Sequence, residues 1–218
     1  QEGYSYGYPQ STYTNHVSSC PNHQTLRVTP IETRYNMACM GILGYECNVC
    51  EIDKEEEEAI RKQIELYKLW RKVYQYGDFY RNGENGDFII VSPDKSRAVA
   101  ILLQHHNRAN VGTQLLKLSG LDREKKYHFY NIPGKVDVKC FGDLINTMAP
   151  IHVKKDSLTH NVIAKYVKLH QELEEYHCQG SVLEAGVRLK QVYSGTGYNE
   201  QVRVFGDYAS RMYYIEAE

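Results

Sequence analysis

The sequence contains no long apolar run and no strong excess of charge of either sign. No stretch approaches the roughly 20 apolar residues that a membrane-spanning helix requires. The 26 basic residues nearly balance the 27 acidic ones, for a formal net charge of -1. Proteins that bind DNA or anionic membranes usually carry a basic surface, which this balance does not provide. We therefore expect a soluble protein with no nucleic-acid partner and no membrane partner.

Cysteine is also too sparse for a disulfide scaffold, with six residues in a chain of 218. We expect free thiols in a reducing compartment and hence a cytoplasmic protein. Cys47 and Cys50 have the spacing of a metal-ligand pair, but no second such pair exists. If residues 43–49 form a strand, positions three apart such as 47 and 50 point to opposite faces, and the two side chains cannot share an ion. We therefore predict no metal site.

The N-terminal third predicts alternating strands and helices. The first residue is Gln1 rather than Met, and residues 3–9 suggest a strand without any leader, so we expect a piece of a longer chain. Thr29 and Pro30 are typical of a helix start, and residues 41–49 suggest a buried strand. The predicted order from Tyr4 is strand, loop, helix, strand, helix, which is typical of a parallel α/β sheet or barrel.

The strongest local signal is a helix over Lys54–Tyr76, which Gly77 ends. Asp53 can cap its first turn while the side chain of Glu56 reaches back to complete a capping box. One apolar stripe with helical spacing is formed by Ile60, Ile64, Tyr67, Trp70 and Val73 or Tyr74. We expect this stripe to face a core, with Trp70 packing rather than binding sugar.

After Gly77 the pattern changes to predominantly antiparallel β structure. Residues 87–92 and 97–104 flank a turn, and residues 114–120 and 125–132 flank a second, so we expect two hairpins. Residues 160–177 fit a helix nearly as well as strands, and strands are favoured. Residues 194–200 suggest a glycine-rich turn, but they lack the lysine and the following helix of a phosphate-binding loop.

Residues 16–30 form a polar loop with neither helical nor strand periodicity, and this loop and its flanks carry an ordered set of motifs. The motifs are Tyr8-Pro9, His16-Val17-Ser18, Pro21-Asn22-His23-Gln24, Arg27, Thr29-Pro30 and Gly44-Tyr45-Glu46. This set closely resembles the last part of the catalytic barrel of family 36 glycoside hydrolases, the bacterial α-galactosidases. The resemblance continues through the helix at 54–76 and into the C-terminal β region, so that it covers effectively the whole chain.

The resemblance implies an α/β plus all-β fold in two parts. Residues 1–76 would supply the last strands and helices of a (β/α)8 TIM barrel, and residues 77–218 would form an antiparallel β-sandwich. The polar loop would then be a strand-to-helix connection at the C-terminal face of the barrel, where such enzymes place their chemistry.

The resemblance also implies a retaining reaction with two carboxylates and no cofactor. Both catalytic aspartates of the family lie on earlier barrel strands, so we assign no catalytic residue to this chain. Glu46 and Asp53 are better explained as structural residues. His16, Asn22 and His23 are candidate substrate contacts, since Asn and neutral His can bind sugar hydroxyls. The alternative, which we favour, is that they bond to the loop itself.

The expected function is therefore that of part of an α-galactosidase acting on raffinose-type oligosaccharides or melibiose. We expect the full-length protein to be a homo-oligomer and this chain alone to be inactive. Two alternatives remain open. One is a noncatalytic carbohydrate-binding or assembly module, which an exposed aromatic strip on the sandwich would favour. The other is galactosyl transfer, as in plant relatives of the family.

Overall fold

The structure is a computed structural model that describes residues 3–82, 87–106, 115–137, 153–154, 157–190, 205 and 207–218. The helices are α1 (Ile31–Ala38), α2 (Lys54–Tyr76), α3 (Leu158–Tyr166) and α4 (Gly180–Ala185). The strands are β1 (Thr14–Ser18), β2 (Ile42–Glu46), β3 (Asp78–Asn82), β4 (Asp87–Val91), β5 (Arg97–Gln104), β6 (Leu115–Leu116), β7 (Lys126–Asn131), β8 (Lys135–Asp137), β9 (Lys168–His170), β10 (Glu175–Gln179), β11 (Val187–Arg188) and β12 (Ala209–Ala217).

The N-terminal part has the predicted α/β alternation, but its first strand begins later than expected. β1 and β2 pair in parallel, with α1 between them and α2 after them. Tyr4–Tyr6 and Gln10–Thr12 are 3-10 turns, so the prediction of a strand from Tyr4 is wrong. The tyrosines at 4, 6 and 8 are each more than 60% exposed, so their alternation covers no core. β1 instead includes His16, which we had expected in the loop.

β2 is less buried than its apolar sequence predicted. None of its residues is buried, and Ile42 is 38% exposed. The strand is nevertheless attached to α2, since the Tyr67 hydroxyl donates to the Gly41 carbonyl and accepts from the Leu43 amide. Among the described residues β2 pairs only with β1, so one of its edges and much of its surface have no covering layer.

The predicted helix at Lys54–Tyr76 is confirmed, as is its cap. The Asp53 carboxylate accepts from the Glu56 amide at 2.8 Å, and Gly77 ends the helix. Glu56 does not complete the capping box, because its carboxylate binds Arg34 of α1 instead. The side chains at 67, 70, 73 and 74 are buried as predicted, whereas those at 60 and 64 are half-buried.

The C-terminal part is built on one antiparallel sheet with strand order β10-β7-β12-β5-β4-β3. The predicted β4–β5 hairpin is confirmed. The second predicted hairpin is wrong, because β6 pairs with β11 while β7 lies between β10 and β12. The reason is packing: Leu116, Leu118 and Leu121 are buried against a face of the sheet instead of pairing within it.

Both faces of this sheet are covered. One face packs on α1 and α2, where Tyr214 of β12 meets Trp70 at a ring distance of 4.9 Å. The other face packs on a second layer that includes the β6–β11 pair and α4, with Tyr213 and Ile215 of β12 turned toward it. The hydrophobic core therefore lies on both sides of β12.

The preference for strands over residues 160–177 is wrong for the first half of this segment and confirmed in its second half, by β9 and β10. Residues 158–166 form α3, which the Ser157 hydroxyl caps by accepting from the His160 amide at 3.2 Å. The inward residues His160 and Ala164 are four apart, as a helix requires. Strands follow at β9 and β10. The turn predicted at 194–200 lies outside the described residues, and no helix in the described part of the chain could cross a membrane.

Candidate functional site

The polar loop of residues 19–30 leaves the carboxyl end of β1, next to the carboxyl end of β2. Ser18 and Glu46 are register partners at this edge. A cleft of about 700 Å³ opens beside them, and we call it the loop cleft. It is lined by Ser19, Cys20, His23, Arg34, Tyr45, Glu46, Cys47, Asn48, Glu51, Ile52 and Glu56. The carboxyl edge of parallel strands is where α/β proteins bind their ligands.

His16 and Glu46 face each other across the strand pair. The His16 Nδ1 atom lies 3.8 Å from a Glu46 carboxylate oxygen, and the two side chains are 48% and 66% exposed. Gly44, the register partner of His16, makes room for the ring, because a Cβ atom at Gly44 would lie 2.5 Å from His16 Cδ2. His16 therefore lies close to the loop cleft but does not line it.

Asn22 directs its hydrogen-bonding groups into the loop. Its Oδ1 atom accepts from the amides of Gln24 and Thr25 and from the Thr25 hydroxyl. Its Nδ2 group donates to the Ser18 hydroxyl at 3.1 Å. These contacts fix the turn that follows β1 and leave Asn22 outside the lining of the loop cleft.

His23, by contrast, lines the loop cleft together with three carboxylates, those of Glu46, Glu51 and Glu56. The structure thus brings His23 and Glu46 to one cleft and places His16 beside Glu46, while Asn22 supports the loop behind them. Of the three residues singled out by sequence, only His23 faces this space.

Arg34 is the residue of this region that sequence reasoning missed. Its guanidinium donates to the Ser18 carbonyl at 2.7 Å, to the Thr29 carbonyl at 3.2 Å and to the Glu56 carboxylate at 2.5 Å. Arg34 thereby joins the end of β1, the end of the loop and the first turn of α2. Because Arg34 and Glu56 are 22 residues apart, no local pattern in the sequence indicates that they pair.

The two cysteines of the sequence motif are placed differently from what we assumed. β2 ends at Glu46, and residues 48–51 form a turn closed by the bond from the Glu51 amide to the Asn48 carbonyl, so the argument from opposite strand faces does not apply. Cys47 is half-buried, Cys50 is exposed and both are free thiols. Among the described residues, the one cluster close enough to share a metal ion lies elsewhere, on the antiparallel sheet.

The comparisons with known proteins divide the chain into two matches. A family model described as Melibiase matches residues 1–77. A second model, described as Glycosyl hydrolase family 36 C-terminal domain, matches residues 87–215. The second match alone spans more than half of the chain.

Curated relatives match over part of the chain. The chain is 35% identical to the alpha-galactosidase AgaA of Geobacillus stearothermophilus over 132 residues, which is 58% of this chain and 18% of the relative. It is 37% identical to the alpha-galactosidase Mel36A of Lactobacillus acidophilus over 131 residues, with the same coverage. The matched part is thus less than a fifth of each relative.

Solved structures match over the full length of the chain. The crystal structure of AgaA from Geobacillus stearothermophilus superimposes with a TM-score of 0.70 at 26% identity, covering 100% of this chain and 24% of that one. An AgaA variant in complex with raffinose gives a TM-score of 0.69. These superpositions confirm the predicted sequence of an α/β part followed by an antiparallel β part.

Proposed function

The chain belongs to glycosyl hydrolase family 36, and from this premise we propose that it is the C-terminal part of an α-galactosidase. The observation that carries the proposal is the full-length superposition on AgaA, in which the whole chain occupies about a quarter of a larger enzyme. We propose that residues 1–76 supply the end of a (β/α)8 barrel and residues 77–218 a β-sandwich. The parallel β1–β2 pair, with a helix after each strand, supports this division.

The proposed chemistry is retaining hydrolysis of terminal α-galactosides. One carboxylate attacks the anomeric carbon, while a second protonates the leaving oxygen and later activates water, the two lying roughly 5 Å apart in such enzymes. We place both groups on the part of the enzyme that precedes this chain. Glu46 is proposed for neither role, because it is a glutamate at the end of β2 and the family resemblance puts both catalytic aspartates on earlier strands.

The proposed role of the polar loop is to complete the substrate site. His23 would contact a sugar hydroxyl from the loop cleft, and His16 would do so from the middle of β1, beside the cleft. Neutral imidazole can donate and accept hydrogen bonds, as paired sugar hydroxyls require. Asn22 would act as a positioning residue, which its bonds to Ser18 and Thr25 support.

Raffinose-type oligosaccharides are the proposed substrates. AgaA variants have been crystallised in complex with raffinose and with stachyose, which supports this class for a relative of similar fold. We further propose that the complete enzyme is a cytoplasmic homo-oligomer. The free thiols among the described residues are in keeping with a reducing compartment.

Galactosyl transfer would use the same site and differ only in the acceptor. The noncatalytic alternative predicted a strip of exposed aromatic residues on the sandwich. Among the described residues after Gly77, the exposed large apolar side chains are mainly aliphatic, such as Leu115, Ile132 and Leu158. No observation therefore favours a carbohydrate-binding module over part of a hydrolase.

A chimera with AgaA tests the proposal. This chain would replace the matching C-terminal part of AgaA, and hydrolysis of p-nitrophenyl α-galactoside would be compared for the chimera, the chain alone and AgaA cut at the same junction. We expect turnover by the chimera only. Turnover by the chain alone, or a folded chimera as inactive as truncated AgaA, would contradict the proposal. Sugar products from raffinose would separate hydrolysis from transfer.

A further inference from the structure

A second group of ionisable side chains lies on the antiparallel sheet, far along the chain from the loop cleft. His128 of β7 and His177 of β10 are direct register partners, and Glu175 lies two residues before His177 on the same face. β10 is an edge strand of the sheet. The pairing of the two strands therefore brings together side chains nearly 50 residues apart in sequence.

The three side chains present their ligand atoms within 4.8 Å of one another. The His128 Nε2 atom lies 3.0 Å from a Glu175 oxygen, which is close to the separation of two ligands on one metal ion. The two imidazole rings are stacked at 4.4 Å with an interplanar angle of 3°. His128 is half-buried and the other two residues are exposed, so an ion can reach the group from solvent.

Surrounding groups hold these ligands in place. Tyr130 stacks on His128 at 4.6 Å and donates its hydroxyl to Glu216. Glu218 contacts Nδ1 of His177, and its other oxygen binds the Lys126 ammonium at 2.7 Å. A carboxylate on one nitrogen of a histidine, with the other nitrogen left for a metal, is the usual arrangement of metal-binding histidines.

We propose that His128, Glu175 and His177 form a zinc site that joins edge strand β10 to β7. Two imidazole nitrogens and one carboxylate are a donor set that Zn²⁺ accepts, with water at the fourth position. Because the lone pairs of stacked rings run parallel, binding requires at least one imidazole to turn about its Cβ–Cγ bond until both nitrogens face the same ion. Ca²⁺ and Mg²⁺ prefer six or more oxygen ligands, which this group does not offer.

The proposal does not depend on the proposed function, because the site is built entirely within the antiparallel sheet. Its expected effect is on stability. An ion that binds the folded sheet and not the unfolded chain raises the unfolding temperature, since its binding free energy is lost on unfolding.

Calorimetric titration of the tag-free, metal-stripped chain with ZnCl2 tests the site. We expect one Zn²⁺ per chain and a higher unfolding temperature, with no response to Mg²⁺ or Ca²⁺. His128→Gln and His177→Gln should each weaken binding at least about tenfold. Glu175→Gln should also weaken it, and because Glu175 is exposed, this variant removes a ligand without disturbing the packed core. Circular dichroism checks that each variant is folded.

Two controls separate this site from other sources of zinc binding. His106→Gln removes an exposed histidine that belongs to no metal-sized group of described residues, and it should leave binding unchanged. Cys47→Ser combined with Cys50→Ser should also leave it unchanged. Absence of zinc binding, or binding that survives the three ligand variants and is lost with the cysteines, would overturn the proposal.

Discussion

Two of the sheets in the described part of the chain, the β1–β2 pair and the six-stranded sheet, differ in how completely they are covered. β12 has five consecutive buried residues, Arg211 to Ile215, because its sheet is packed on both faces and it has a paired strand on each side. β2 has no buried residue and pairs only with β1 among the described residues. An isolated pair of strands is marginal in water, whereas a sheet of six covered strands can sustain its own core. The comparison indicates that β12 lies at the centre of the core, on which α1 and α2 also pack, whereas β2 lies at an uncovered margin of the described chain.

Removal of the Trp70 side chain should have the largest effect on stability, because this residue joins α2 of the α/β part to β12 of the six-stranded sheet. Its indole is 1% exposed, packs on Tyr214 and lies under the Arg97 guanidinium. Trp70→Ala should lower the free energy of unfolding by about 3–5 kcal/mol. Leu69→Ala, at a neighbouring position that is 61% exposed, should change it by less than about 0.5 kcal/mol. Urea unfolding measures both, and equal losses would show that α2 is not docked through Trp70.

A pair of glycine substitutions compares the rigidity of the two regions directly. A Cβ atom at Gly180 would lie 2.0 Å from the Asp122 carbonyl oxygen, which is backbone and cannot move aside. Gly180→Ala should therefore cost about 1–3 kcal/mol of unfolding free energy. At Gly44 the close contacts of the added atom are with the half-exposed ring of His16, while the Asn15 carbonyl lies at an ordinary 3.6 Å, so Gly44→Ala should cost less than about 1 kcal/mol. A larger loss of stability for Gly44→Ala than for Gly180→Ala would contradict the conclusion that the sheet region is the more tightly packed of the two.

A buried acid in the sheet gives a pH-dependent prediction. Burial raises the pKa of Asp87 to about 6, against the opposing bond from the Leu103 amide and the nearby His105. Because this pKa lies above the unfolded value of about 3.9, the contribution of Asp87 is most favourable below pH 4 and is lost as the pH rises through 6. Asp87→Asn, which can still accept from Leu103, should stabilise the fold by about 1 kcal/mol at pH 7.

Asp87→Asn should give no gain in stability at pH 4, because in the folded protein the aspartic acid at this position is then as neutral as the asparagine. Thermal unfolding at the two pH values provides the measurement, and Asp94→Asn serves as a contrast. Hydrogen bonds from Ser92 and Ser96 lower the pKa of Asp94 to about 2, so its replacement should destabilise the fold at pH 7. Equal gains for Asp87→Asn at both pH values would contradict the assigned cause.

The smallest effect is expected in the polar loop. Asn22→Ala removes the side-chain bonds that fix the turn, at a local cost of about 1 kcal/mol, which corresponds to roughly fivefold faster opening. Trypsin cleavage after Arg27 reports this opening, because Arg27 is held over the Tyr208 ring at 3.6 Å. Gln24→Ala, at an exposed position, should leave the cleavage rate unchanged. A fall in global stability with no faster cleavage would show that Asn22 acts elsewhere.

Local signals in the sequence were enough to predict the elements that are stabilised by contacts between residues close together in the chain. The Asp53 cap and the apolar stripe of α2 depend on residues three or four apart, and the β4–β5 hairpin depends on one short turn. The failures involve distant partners. Leu116 and Leu118 are buried beneath the sheet by β11 and α4, which follow more than 60 residues later. The local sequence pattern does not reveal these distant partners, and it therefore predicted a hairpin with the next strand.

The candidate site shows the same difference between local contacts, which the sequence reveals, and distant contacts, which it does not. His16, Asn22 and His23 were found from an ordered motif, but only the fold shows that Asn22 supports the loop while His23 faces the cleft. Arg34 and Glu56 form their ion pair across two helices, and His128 meets His177 across two strands. Such pairs depend on packing and register, which a single sequence does not reveal.

Hydrogen exchange of the backbone amides, compared between β2 and β12, tests the central claim most directly. In the chain alone we expect amides of β12 to exchange only through global unfolding and those of β2 to exchange far faster, because few covering contacts protect them. In the AgaA chimera, the amides of β2 should gain protection while those of β12 keep theirs. Equal protection of β2 and β12 in the chain alone would mean that the α/β part is already a sealed unit, and would contradict the account.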